Sequence, residues 1–403
     1  MTQLTRRAAL NKGGLPPVAE PGWDAVLLAG FGGPERAEDV MPFLRNVTRG
    51  RGVPEDRLIE VSHHYDALGG FSPINAQNRA LRDALQAELD RRGIDLPVLW
   101  GNRNWAPYLT DVVAEAYATG SPRLLGLATS AYSSYSSCRQ YREDFGAALE
   151  TNNLVGRVRI DKLRLYWNHP GFLLPFTDGI TAALAQAQAA GIAADEIQVL
   201  FTTHSIPTSM AATSGPVGTP MPGAYVAQHL AACAAVIRAL PDGPLRWQLV
   251  YQSRSGSPQT PWLEPDINDV IDDLAGTRWR GVIVVPIGFV SDHVEVIWDL
   301  DNEARESAGT AGLFFARVAT PGTDPRFVAA LADLVQERLD ARVSGVALTG
   351  TVAPDICGVG CCANARSRRP TTAGAESALD WAQTPVDPEA LALSGIGGAA
   401  TGG

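Results

Sequence analysis

An apolar run in the sequence ends on a histidine: LFTTHSIPTSM puts His204 at the carboxyl tip of a predicted strand, and Pro207 stops the extended segment just beyond. An imidazole there can accept a proton near neutral pH or ligate a metal through a neutral ring nitrogen, although a loop histidine held by backbone hydrogen bonds fits the same address. A second apolar run, GVIVVPIGFV, leads into SDHVEVIWDLDNEARESAG, where Glu295, Asp299 and Glu303 recur at every fourth position. In a helix capped near Ser291 or Asp292, each step of four drifts by only about 40°, so the three carboxylates share one face. Most charge runs are solvated faces, but Val294, Val296, Ile297, Trp298 and Leu300 set this one beside buried surface. The acids then form a conduit for a hard divalent cation, and a widened π-type turn would align them better than a regular helix.

Cysteine usage points to metal as well. The chain holds 5 cysteines, too few for a disulfide scaffold at this length, and Cys357, Cys361 and Cys362 crowd into CGVGCC. Crowded thiols in a reducing compartment suggest a metal centre, against free thiols or adventitious zinc. Cys233, among apolar helical neighbours, reads as core. Loops elsewhere have a binding character. GGFSPIN carries Ser72 before a helix start, TRGRGVP supplies Arg49 and Arg51, and GNRNWAPY supplies Arg103 and Trp105. TSAYSSYSSCRQY brings Tyr132, Tyr135, Cys138, Arg139 and Tyr141. Aromatic faces with scattered arginines suit a flat apolar ligand that carries carboxylates.

These residues need a scaffold that gathers loops. Apolar runs of strand length at 25–31, 98–103, 124–129, 162–167, 198–203, 247–251, 282–289 and 313–318 alternate with helical segments at 75–92, 109–118, 171–190, 224–240, 267–275 and 325–342. That alternation predicts an α/β fold of two Rossmann-like lobes, each a four-stranded parallel sheet flanked by helices, with the site in the cleft between them. The expected division is a flexible tail over 1–23, lobes over 24–185 and 186–345, and an extension over 346–403 with the cysteine segment and a flexible Gly/Ala-rich end. The segment TSGPVGTPMPG, too rich in Gly and Pro for a helix, follows His204 closely and is expected to act as a mobile lid.

A formal net charge of -10 and a pI near 5.1 leave no source for phosphate neutralisation, so nucleic acid is excluded as a partner. The best membrane-span candidate, 224–240, is broken by Gln228, His229 and Arg238, so integral membrane association is not expected. Arg6 and Arg7 lack the apolar stretch of an export signal, and a cytoplasmic monomer is the expectation.

Taken together, LLAGFGGPE, FLRNVTRGRGVP, GGFSPIN, TTHSIP, YQSRSG with PWLEPD, and PIGFVSDHVEVIWDLD closely resemble the ferrochelatases, in order, over residues 24–343. The wording is nearest to actinobacterial members, which are regarded as coproporphyrin III ferrochelatases. The resemblance implies a lyase of haem biosynthesis that inserts Fe2+ into coproporphyrin III to give coproheme, so that its partners are that porphyrin and ferrous iron. By the same resemblance, His204 is proton acceptor and metal ligand, Glu295 faces it across the macrocycle, and Asp299 and Glu303 continue the metal-binding acids. Ser72 and Tyr141 match positions that contact porphyrin, and Arg49 falls where a propionate partner is expected. Arg103 and Arg139 are further candidates for that role. Phe31 stands where other members carry a tyrosine able to sit on the metal; phenylalanine cannot, so product iron should lack that axial bond.

Some ferrochelatases also hold a [2Fe-2S] cluster on one mid-chain cysteine and three near the carboxyl end. Cys138, Cys357, Cys361 and Cys362 fit that plan, although adjacent Cys361 and Cys362 are awkward as partners on one cluster. The rival readings are a protoporphyrin IX ferrochelatase, another tetrapyrrole chelatase inserting cobalt or nickel, a haem or porphyrin carrier without turnover, and an iron-sulfur redox protein.

Overall fold

The computed structural model describes residues 22–50, 52–255, 259–365, 369–372 and 374. The predicted tail up to residue 21, Arg51 and the Gly/Ala-rich end beyond residue 374 lie outside the described residues. The first half of the chain runs β1 (Ala25–Gly30), α1 (Ala37–Val47), α2 (Glu55–Ala67), α3 (Ile74–Arg91), β2 (Val98–Asn102), α4 (Leu109–Ala118), β3 (Arg123–Ala128), α5 (Gln140–Thr151) and β4 (Arg159–Lys162). The second runs α6 (Pro170–Ala189), β5 (Ile197–His204), α7 (Thr208–Ala212), α8 (Ala224–Arg238), β6 (Trp247–Gln252), α9 (Ile267–Asp273), β7 (Gly281–Val285), α10 (Val294–Ile297), α11 (Arg305–Thr310), β8 (Phe314–Arg317) and α12 (Pro325–Leu339).

The strands form two parallel four-stranded sheets, in the orders β2-β1-β3-β4 and β6-β5-β7-β8. Every residue of β1 and all but the last of β5 are buried, which is why these strands read as continuous apolar runs instead of alternating ones. In each sheet the chain leaves the first strand toward one edge and returns on its other side. Loops therefore diverge between β1 and β3 and between β5 and β7, and such switch points open a crevice at the carboxyl ends of the strands.

Helix α6 packs on α8, α12 and β7, and α12 packs on α3, so these helices join the two sheets. One continuous apolar cluster runs from Val26 and Leu28 of β1 through Phe172 and Phe176 of α6 to Val199 of β5 and Ile283 of β7. Smaller clusters cover the far face of each sheet, and a fourth lies under α1 and α2, where Val294 joins Phe43, Leu58 and Tyr65.

Several elements differ from the sequence expectation. β4 occupies Arg159–Lys162, not 162–167: its register on β3 ends at Gly126↔Lys162, and the apolar stretch beyond is buried by side-chain packing such as Tyr166 against Phe172 and Phe327. β7 stops at Val285 because Pro286 has no N–H to donate. Helices α1, α2 and α5 lie outside the predicted helical segments. No helix among the described residues is long and apolar enough to cross a membrane.

Candidate active site

His204 is the last residue of β5 and pairs in register with Gln252 of β6. Its Nδ1 lies 2.5 Å from the Ser205 carbonyl oxygen. A carbonyl only accepts, so Nδ1 carries the proton and Nε2 presents its lone pair. That lone pair faces Glu295, with Nε2 to Oε2 at 3.8 Å. Both side chains remain reachable from solvent, 34% and 50% exposed. The backbone at this point is fixed from below, since the Tyr225 hydroxyl donates to the His204 carbonyl at 2.9 Å and also meets the Thr203 hydroxyl at 2.9 Å.

Glu295 arrives by way of a close approach. A Cβ on Gly288 would lie 2.1 Å from the Thr203 hydroxyl, so only glycine lets the loop after β7 lie against the end of β5. Asp292 then anchors the loop by pairing with Arg317 and by its N–H to Gln77 at 2.8 Å. The helix that follows is α10, a π-type segment over Trp298–Ala304, and α11. Val296, Leu300, Ala304 and Ala308 are its buried stripe at four-residue spacing, and the acids at 295, 299 and 303 precede these positions by one. The wide turn offsets the drift of a regular helix and keeps the two rows side by side.

Asp299 accepts hydrogen bonds from the Ser253 hydroxyl and, at 3.1 Å, from the Gln252 amide. Burial pushes its carboxyl up to about 7 despite those donors, with Glu295 and Glu303 adding to the rise. Glu303 accepts from the Trp298 indole at 2.8 Å. Trp298 in turn stacks on His64 of α2, ring centroids 4.2 Å apart, which seats the hairpin of α1 and α2 against the acidic helix. Burial also lowers the His64 pKa, opposed by Glu303 and Glu295.

The loop after β1 presents Phe31, 38% exposed and edge-on to Phe43, which meets Trp105. Ser72 is buried against Gly33, and its N–H donates to the Pro34 carbonyl at 2.8 Å. Arg49 is exposed in the turn after α1. Arg103 and Arg139 sit differently from what a propionate partner needs. Arg103 is buried in a 2.5 Å pair with Asp144 and lies over the buried Tyr141 ring, while Arg139 pairs with Glu143 at 3.3 Å. Arg139 and the Tyr141 ring are buried in this arrangement, while Arg103 also lines a small cavity with Tyr108 and Asp144.

The four cysteines gather as the spacing could not show. Cys138, in a π-type turn over Tyr135–Arg139, lies with its sulfur 3.9 Å from that of Cys362, which is 4.0 Å from Cys361. Cys357 hydrogen-bonds to Cys138 and Cys361; these bonds, aided by Lys162 and Arg142, hold its thiol well below the ordinary range. The bond to Cys357 pushes Cys361 up to about 12. All four are buried and free of disulfides. Among the described residues no three His, Cys, Asp or Glu are already arranged around a single metal ion. Four free, buried thiols in sulfur contact are nevertheless the donor set that an iron-sulfur cluster needs, and the Gly215 N–H adds a hydrogen bond to the Cys362 sulfur at 3.1 Å. The Cys362 N–H returns to the Gly215 carbonyl at 2.9 Å, so the stretch predicted as a loose lid is fastened at Gly215.

The fold and site define a doubly wound α/β enzyme with an acid-lined approach to an imidazole. The family model described as Ferrochelatase matches residues 23–339. A coproporphyrin III ferrochelatase of Leifsonia xyli is 54% identical over 372 residues, covering 89% of this chain and 96% of that protein. One from Streptomyces coelicolor is 53% identical over 370 residues, covering 88% and 97%. This chain belongs to the ferrochelatase family. Among solved structures, SirB from Bacillus subtilis with Fe3+ superposes with a TM-score of 0.47 at 11% identity, covering 79% of this chain and 96% of that one, a likeness too low to add to the assignment.

Proposed function

We propose that the chain inserts ferrous iron into coproporphyrin III, with His204 and Glu295 at the reacting centre. The observation that carries this reading is His204 Nε2 placed 3.8 Å from a Glu295 oxygen, with both side chains partly exposed. Stacking contacts need about 3.5 Å on each face of a flat ring, so no macrocycle fits between groups this close. On this reading His204 and Glu295 address the same face of the ring, instead of facing each other across it as the resemblance implies.

Insertion requires that iron lose water, that the ring lose two pyrrole protons and that its nitrogen lone pairs turn out of plane. Glu295 supplies an anionic ligand to replace water on the incoming iron. His204 accepts pyrrole protons through Nε2, and its hydrogen bond to the Ser205 carbonyl stabilises the imidazolium that results. Asp299, near neutrality in its affinity for protons, passes them outward, and with Glu303 forms the approach for the hydrated cation. Arg49, exposed in the turn after α1, is the candidate propionate partner; Phe31, partly exposed, contributes an apolar face for the ring, and Ser72, buried against Gly33, shapes the loop beneath it.

The [2Fe-2S] cluster is part of the proposal, on Cys138, Cys357, Cys361 and Cys362; when bound it supplies a cross-link between the carboxyl-terminal segment and the start of α5. Anaerobic assays with ferrous iron test the reading. Wild-type protein is expected to metallate coproporphyrin III faster than protoporphyrin IX, and His204→Ala to lose turnover by about a thousandfold while porphyrin binding stays within about threefold. Binding that collapses while turnover survives would overturn the assignment.

A further inference from the structure

Trp298 and Glu303 stand 5 residues apart, and the Trp298 indole N–H donates to Glu303 Oε1 at 2.8 Å. In a regular helix that spacing turns a side chain about 140° round the axis, so such a pair points apart. The π-type ladder over Trp298–Ala304 brings residues at this spacing into line, and the widening is what lets the indole reach the acid. Trp298 is itself held from outside its own helix. Its ring lies on that of His64, from α2, with centroids 4.2 Å apart and planes 7° from parallel. Leu58 and Tyr65 seat α2 here, since they share an apolar cluster with Val294 at the start of the acidic helix. Glu303 also lines the open pocket between α9 and α11, with Asn268, Asp272 and Ser307, so it stands where the acidic row meets solvent. A half-buried glutamate at such a mouth has many rotamers, and a hydrogen bond to an immobilised donor selects among them.

We infer that Trp298 is a positioning residue for metal delivery: clamped on His64, its N–H holds the Glu303 carboxylate in the row through which ferrous iron reaches Asp299 and Glu295. The inference rests on the acidic approach proposed above. Trp298 touches neither iron nor porphyrin in this role and acts through Glu303. Losing the N–H frees Glu303 to swing toward the pocket, which weakens capture of iron and leaves the porphyrin contacts and the His204 centre as they were. Because this contribution is made before the metal meets the ring, it belongs in the KM for iron and not in kcat at saturation.

Anaerobic steady-state rates of the full-length protein, with ferrous iron and coproporphyrin III each varied in turn, test this. Glu303→Gln is expected to raise the KM for iron at least about tenfold. Trp298→Phe keeps a ring against His64 and drops only the N–H; it should raise the KM for iron about fivefold, with kcat and the KM for porphyrin within about twofold of wild type. His64→Ala should follow Trp298→Phe, whereas His64→Phe, which restores a flat ring beneath the indole, should stay within about twofold of wild type. If Trp298→Phe does not fold, the His64 pair decides. An unchanged KM for iron in Trp298→Phe, beside a raised one in Glu303→Gln, overturns the inference and leaves the acidic approach standing. So does a loss spread equally over kcat and both KM values, or a His64→Phe that behaves as His64→Ala. An unchanged KM for iron in Glu303→Gln overturns the approach and this inference together.

Discussion

At the level of single residues, the site is a matter of which atom of each side chain is already committed. His204 spends Nδ1 on a backbone carbonyl and keeps Nε2 for chemistry. Phe31 has no atom to commit, and its ring is among the exposed apolar ones. Phe31→Tyr should therefore add an axial oxygen to bound coproheme and shift its Soret band; an unchanged spectrum would place residue 31 away from the iron. His229 shows the opposite condition. It is sealed in α8, stacked on Tyr132 at 3.6 Å with Nδ1 on the Tyr225 carbonyl, and burial lowers its pKa to about 3. A depressed histidine contributes stability that is complete above its unfolded pKa near 6.5 and lost as pH falls toward 3. Urea unfolding should show wild type losing about 2 kcal/mol between pH 6.5 and 5 through this group. His229→Phe, which keeps the aromatic stack, should lack that component.

Among the elements, what could be read from sequence follows from how each one is buried. β1, β5 and the long helices α3, α6, α8 and α12 have strong apolar patterns and fall within a few residues of expectation. α2 buries only Leu58 and Tyr65 of its 13 residues and so lacks a clean stripe, while α1 buries Val40, Phe43 and Leu44 on one face but carries Pro42 inside, which reads as a breaker. The apolar run after β4 deceived because burial by neighbouring helices leaves the same trace as burial in a ladder. The acidic row was legible by its spacing, and so was the wide turn that serves it. The fate of Arg139 was available too, because Glu143 stands four residues on, but only once α5 is recognised as a helix. Arg142 and Gly288 gave no signal, since their importance lies in contacts between distant segments.

For the molecule as a whole, the sheets are joined at their flanks and open only where loops gather. Arg92 at the end of α3 reaches Asp333 of α12 at 2.6 Å, Gln336 at 3.2 Å and the Ala329 carbonyl at 3.0 Å. Arg164, after β4, pairs with Glu337 at 2.6 Å, and Asn168 holds the carbonyls of Thr349 and Thr351 at 2.8 and 2.9 Å. The Tyr132 hydroxyl donates to the Ile287 carbonyl at 3.1 Å, behind the reacting pair. Arg92→Ala should lower unfolding stability by about 2 kcal/mol, since Asp333 is partly solvated and the lost bonds are charge-assisted. Urea denaturation measures it, and a change under about half a kcal/mol would show that α3 and α12 hold by packing alone.

The widened segment over Trp298–Ala304 is an uneconomical stretch of backbone, because its hydrogen bonds span one residue more than a regular helix requires. Removing a single residue there would restore the ordinary ladder and yield a sturdier rod. It would also swing every later side chain by about 100°, taking Glu303 off the row that Glu295 begins. The widened turn thus yields firmness of the rod in exchange for a straight row of acids, the corridor along which a cation would be handed inward.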